Sequence, residues 1–259
     1  MIRTIQQFFY AWLFLTKLPA PPLPKATKED WGRIAPYFVL IGFILGLILC
    51  FSARIFLTYH LPIMFSALLI LLVWNLITGS LHLDGLMDTF DGINCQDKNR
   101  KVEAMKDSRI GAFGAIGGIF VILFKLVALC TILLNKLFFV IVLALLISRL
   151  VAVYSFTFLS QNQKSGASSS LLLSGIKRPA DFLVNLLIFA IVFLCSMFLY
   201  HLKFSYFFLF LISAFLSIIW SYWLDNHFKG HTGDTFGALI ELSEVTVLSL
   251  AVVFKHYLM

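Results

Sequence analysis

The chain has 259 residues, is 60% hydrophobic with a mean hydropathy of +0.94, and carries a formal net charge of +7. Such a composition belongs to a membrane-embedded protein rather than to a soluble core. The basic residues are spread over polar stretches, so the charge does not argue for nucleic acid; it fits anionic lipid headgroups and anionic substrates at one face of a membrane.

Residues 5–18 are apolar but shorter than the roughly 20 residues a span needs, and predict an N-terminal interfacial or re-entrant helix closed by Pro19, Pro21, Pro22 and Pro24. The stretch to Pro19 lacks the small-residue cleavage site of a secretory signal. Apolar runs follow at 36–59, 62–80, 110–134, 137–159, 181–200, 205–224 and 237–257. They predict an all-α, polytopic membrane bundle of about seven spans, one domain over the whole chain. The connections alternate: 60–61, 135–136 and 201–204 are short, whereas 81–109, 160–180 and 225–236 are long and polar. Fourteen of the twenty Lys and Arg residues lie in the N-terminal region and the three long loops. The positive-inside rule then predicts a cytoplasmic N-terminus and cytoplasmic long loops. Cys50, Cys95, Cys130 and Cys195 are scattered, with no spacing that suggests zinc or a disulfide framework.

The chemistry concentrates in the first long loop. Asp84, Asp88 and Asp91 fall at i, i+4 and i+7, which a helix gathers within a sector of roughly 60°. Three carboxylates on one face repel unless a cation sits among them, and Mg²⁺ favours a few carboxylates, water and substrate phosphates. Lys106, Asp107, Ser108 and Arg109 then bring cations and a hydroxyl to the membrane edge, before Gly111, Gly114, Gly117 and Gly118. Those glycines suit either helix packing or amide donation to a phosphate. In the third long loop, Gly230 and Gly233 bracket His231 and Thr232. Asp234 is a candidate fourth metal carboxylate, and His231 a phosphate contact or proton carrier. Glu241 and Glu244 lie inside the last span, where acids face polar surroundings. Arg149, mid-span, needs an anion and is a candidate phosphate ligand; Lys125 is assigned no role. Clustered acids beside basic residues at one membrane edge fit phosphoryl transfer from a diphosphate.

These motifs resemble a known family. His82-Leu83-Asp84-Gly85-Leu86-Met87-Asp88-Thr89-Phe90-Asp91-Gly92 is similar to the HLDGLADTxDG signature of the cobalamin synthase (adenosylcobinamide-GDP ribazoletransferase) family. The segment from Lys106 to Gly114 resembles its (R/K)DSRIGxFG motif, and Gly230 to Glu241 its GxTGDxxGAxxE motif. Thr16-Lys17-Leu18-Pro19 matches an early LTRLP-like stretch. Met87 departs from the usual Ala, and 161–170 lacks the Arg/Gly-rich character of that loop. The resemblance implies an inner-membrane enzyme that joins adenosylcobinamide-GDP to α-ribazole or its 5′-phosphate with Mg²⁺, releasing GMP, in company with membrane lipid and other late cobalamin-pathway enzymes. It implies Asp84, Asp88 and Asp91 on the metal, Asp88 or Asp91 as proton acceptor, and His82, Lys106, Asp107, Ser108, Arg109, His231 and Glu241 as substrate-binding candidates, beside Arg149 read from its place mid-span. Two rivals use other logic. A CDP-alcohol phosphotransferase needs Ala-Arg where Cys95-Gln96 stand. An ion-coupled secondary transporter needs mid-membrane acids and a repeated half that the chain does not display.

Overall fold

The computed structural model describes residues 2–97, 100–107, 109–162 and 179–259. Among them the chain is all-α, apart from an isolated parallel bridge between Gln161 and His231. The elements are α1 (Ile2–Leu15), α2 (Lys28–Trp31), a 3₁₀ turn (Ala35–Tyr37), α3 (Phe38–Thr58), α4 (Ile63–Thr78), α5 (Leu81–Asn94), α6 (Lys101–Ala104), α7 (Ala112–Leu134), α8 (Phe139–Phe158), α9 (Pro179–Leu199), α10 (Ser205–Phe228), α11 (Gly233–Val253) and α12 (Lys255–Leu258).

Among the described residues six helices are long and apolar enough to cross a membrane, the first within Lys28–Thr58. α4 supplies a seventh apolar run, its 16 residues spanning about 24 Å. The bundle expected from hydropathy is therefore present. α8 lies at its centre, with 89% of its apolar window buried against 22% for α9 and 28% for α10, which face outward. Two glycines of α3 admit it: a Cβ on Gly42 would lie 2.7 Å from the Leu145 carbonyl oxygen, and one on Gly46 2.9 Å from the Val142 Cα. Small residues of this kind are how helices approach closely in lipid, where apolar surface alone gives no preference between neighbours.

The turns repeat one cap. His60, Lys136 and His201 adopt positive φ after α3, α7 and α9. The next residue's amide then reaches five positions back: Leu61 to Phe56, Leu137 to Ile132, Leu202 to Met197. This Schellman arrangement satisfies the last carbonyls of each helix and allows an immediate reversal.

Of the boundaries that differ from the hydropathy pattern, three have a local cause. α10 runs on to Phe228 rather than stopping at residue 224, because Asp225 and His227 lower hydropathy without breaking a helix; Lys229 ends it at φ 54°. α11 starts at Gly233 rather than 237, set by a capping box in which the Thr232 and Thr235 side chains each accept the other's amide. α1 ends at Leu15 rather than Leu18, where the Thr16 hydroxyl turns back onto the Trp12 carbonyl.

The broken start of α3 is closed by a distant side chain. Buried Asn185 accepts the Val39 amide (2.9 Å) and donates to the carbonyls of Ala35 (2.9 Å) and Asp181 (2.8 Å). Replacing it with Leu strands the Val39 amide at a cost of about 1–3 kcal/mol. Asn185→Leu should lower the unfolding midpoint in detergent while leaving the oligomer profile unchanged; an unaltered midpoint would contradict this role.

Candidate active site

α4 ends on Gly79 (φ 64°) and Ser80 (φ 55°). These two left-handed residues turn the chain by 88° into α5. α5 thus lies across the bundle end, outside the crossing helices, over the first turns of α7 and α11. Glycines at each crossing bring the helices together. A Cβ on Gly85 would lie 2.8 Å from the Asp234 carbonyl oxygen, and one on Gly237 3.0 Å from that of His82. Towards α7, Gly117 receives the Phe90 ring (2.7 Å to a Cβ) and Gly118 the Met87 side chain (3.0 Å).

This packing decides between the two readings of the glycine run. Gly111 and Gly114 do donate amides, but to Asp91: each carboxylate oxygen accepts one, both at 2.8 Å. Gly111 is the N-cap of α7 and no side chain of its own segment caps it. Asp91 therefore caps a neighbouring helix across the crossing, where orphan amides and the helix dipole favour a carboxylate.

The other acids stay together on the near side. Burial, then Asp84, Asp234 and Asp91 in that order, push Asp88 up to about 7. From the loop, the Lys106 charge acts on Asp234. A proton or a divalent cation relieves such crowding, so the donor set fits a hard metal. Among the described residues no three His, Cys, Asp or Glu side chains already converge on one point; a bound cation would require rotamer adjustment.

The basic segment beyond is open to solvent. Arg109 is 88% exposed and pairs with Asp107 at 2.8 Å. Its side chain and amide hold the Asp107 carboxyl down at about 2. Ser108 lies outside the described residues, as does 163–178 of the second long loop.

The two histidines point inward. His231 is fully buried, with Nδ1 3.2 Å from the Thr235 hydroxyl and Nε2 3.4 Å from that of Ser221. Its ring stacks on Phe236, 4.7 Å between centroids, and its backbone bonds to Ser160 and Asn162. Burial pushes it down to about 4, so it is a neutral pin between the second loop and α11. His82 is buried too, and burial followed by the Arg149 guanidinium push it down to about 3.

Arg149 and Glu241 lie deeper. Arg149 pairs with Glu244 and donates to the Ser148 hydroxyl. Lys125 bridges Glu241 (2.7 Å) and Glu244 (2.5 Å). Sequence reasoning assigned Lys125 nothing; a lone cation in an apolar run was the signal that it had an acid partner.

Comparison with known proteins matches residues 7–252 to the family model described as cobalamin-5-phosphate synthase. Proteins named adenosylcobinamide-GDP ribazoletransferase are similar over nearly their whole length. One from Thermoanaerobacter pseudethanolicus is 33% identical, covering 95% of this chain and 97% of its own. One from Synechococcus sp. is 31% identical over 92% of each, and one from Clostridium botulinum 31% over 96% and 98%. No solved structure matches significantly.

The two carboxylates at the crossing should respond oppositely to amidation. Asp91→Asn loses an acceptor at the α7 cap and should destabilise by about 2 kcal/mol, read by denaturant titration in micelles. Asp88→Asn should raise stability at neutral pH, because it removes a crowded charge. In the absence of divalent cations, Asp88 binds its proton more tightly folded than unfolded. Its contribution is therefore full below about 4 and lost by about 7. A pH–stability curve left unchanged by Asp88→Asn would contradict the crowding.

Proposed function

We propose that this chain, which belongs to the cobalamin-5-phosphate synthase family, is an adenosylcobinamide-GDP ribazoletransferase, as its relatives are named. It joins adenosylcobinamide-GDP to α-ribazole or its 5′-phosphate, and GMP leaves. The observation that carries the chemistry is the acid cluster of Asp84, Asp88 and Asp234, assembled where α5 crosses α11 and facing a basic segment.

Asp84, Asp88 and Asp234 would hold Mg²⁺, which when bound neutralises diphosphate charge and orients the leaving GMP. Asp88, beside Asp84 and Asp234 at the crossing, is assigned the proton of the ribazole hydroxyl that attacks the cobinamide-bearing phosphorus. Asp91 has both oxygens occupied by α7 amides and is assigned the task of holding that helix start in place. Lys106 and Arg109 are assigned to phosphate oxygens. Arg109 must leave Asp107 to do so, a small loss for a pair this exposed. His231 and His82, both buried, keep the second loop and α5 seated rather than touch phosphate.

We place the N-terminus and the long loops in the cytoplasm, in an inner membrane, from the distribution of Lys and Arg. Polar substrates then meet the acids from the cytoplasmic side. Membrane lipid surrounds α9 and α10, and other late cobalamin-pathway enzymes have access to the same face.

GMP release by purified protein in liposomes, given adenosylcobinamide-GDP and α-ribazole phosphate, tests the reading. Release should need Mg²⁺ and be coupled to cobamide formation. Asp84→Asn and Asp88→Asn should each lower it by about 10²-fold or more without loss of folded protein. Folded protein that releases no GMP, or releases it equally in EDTA, would contradict it.

A further inference from the structure

Beneath the acid cluster lies a second polar layer that the reaction does not use. Two cations, Lys125 of α7 and Arg149 of α8, meet two anions of α11, Glu241 and Glu244. All four side chains are at most 8% exposed. Lys125 also sits 4.6 Å from the Trp74 ring centroid of α4, and the charges of Arg149, Glu244 and Lys125 all act on His82 of α5. The layer therefore joins five helices.

Its placement along each helix follows the site above it. Glu241 comes seven residues after Asp234, on the same face within about 20° and about 10.5 Å deeper. Lys125 comes eleven residues after Gly114, again within about 20° and about 16.5 Å deeper. α7 is thus tied at its top to α5 by Asp91 and lower down to α11 by Lys125, along one stripe.

A buried ion pair is poor value as stabilisation, since apolar residues of the same size do as well or better. What it supplies is register. Apolar faces in lipid rotate and slide past one another at little cost, whereas the two cations together, one on α7 and one on α8, fix both rotation and depth, and losing either leaves one of these free. We propose that Lys125 and Arg149 are positioning residues: by pairing with Glu241 and Glu244 they set the rotation and depth of α11, and so hold Asp234 against Asp84 and Asp88. The inference rests on the reading of those acids as the active site.

The test is the charge-neutral double variant Lys125→Met/Glu241→Gln, which leaves Arg149 on Glu244. Its thermal midpoint in detergent should match the parent's. Spin labels are placed at Asn94→Cys on α5 and Val253→Cys on α11, with Cys50, Cys95, Cys130 and Cys195 replaced by Ser. Their distance distribution should shift or broaden in the variant. The Mg²⁺ concentration for half-maximal GMP release should rise about tenfold, with the apparent KM for adenosylcobinamide-GDP little changed. An unchanged distance distribution would overturn the proposal, whatever the activity. If the double variant does not fold, Glu241→Gln alone, which leaves Lys125 on Glu244, is judged by the same criteria. A parent that releases no GMP would sink the enzymatic reading instead, and the label distances would still decide the register.

Discussion

The structure depends on one close crossing. α5 rests on α7 and α11 with backbones nearly in contact, and glycine stands where a side chain would hold them apart: Gly85 and Gly237 on one side, Gly111, Gly114, Gly117 and Gly118 on the other. A methyl group at Gly85 would collide with the Asp234 carbonyl. The cluster of Asp84, Asp88 and Asp234 is a consequence of that approach, since Asp234 is more than 140 residues from Asp88 in the chain. The 88° bend at Gly79 and Ser80 makes the crossing possible by laying α5 across the bundle end instead of through it.

Two polar layers result, with opposite electrostatic character. The deep one is balanced: Lys125 and Arg149 against Glu241 and Glu244, closed off from solvent. The upper one is acidic, partly open and short of positive charge, which is the condition under which a cation and a phosphorylated ligand are drawn in together. Asp91 separates itself from that deficit by spending both oxygens on the α7 amides. Of three acids at helical spacing, Asp91 is therefore architectural.

Much of this was legible in the sequence. The spans follow from hydropathy, and the spacing of Asp84, Asp88 and Asp91 correctly predicted a helix. The short loops, too, follow from the pattern. Other features were hidden for physical reasons. Spacing along one helix cannot say that Asp91 turns to α7 while Asp88 turns to α11, because the two differ by less than one turn. The partner of Arg149 lies 95 residues away, and no local pattern encodes such a pairing. Hydropathy also underestimated α10, whose last turn is charged yet helical. His231, a candidate phosphate contact or proton carrier by its place beside Gly230, is instead in a corner that the packing of Phe156 and Phe236, with ring centroids 3.7 Å apart, makes core.

The central claim is that the α5–α11 crossing creates a cation site at the membrane edge. Anomalous diffraction from crystals grown with Mn²⁺ in place of Mg²⁺ tests it most directly. The account places a single strong peak within coordination distance, about 2.2 Å, of carboxylate oxygens from Asp84, Asp88 and Asp234, with the Asp91 oxygens still on the Gly111 and Gly114 amides. A fully loaded crystal with its peak on other residues, or with none at the crossing, would contradict it.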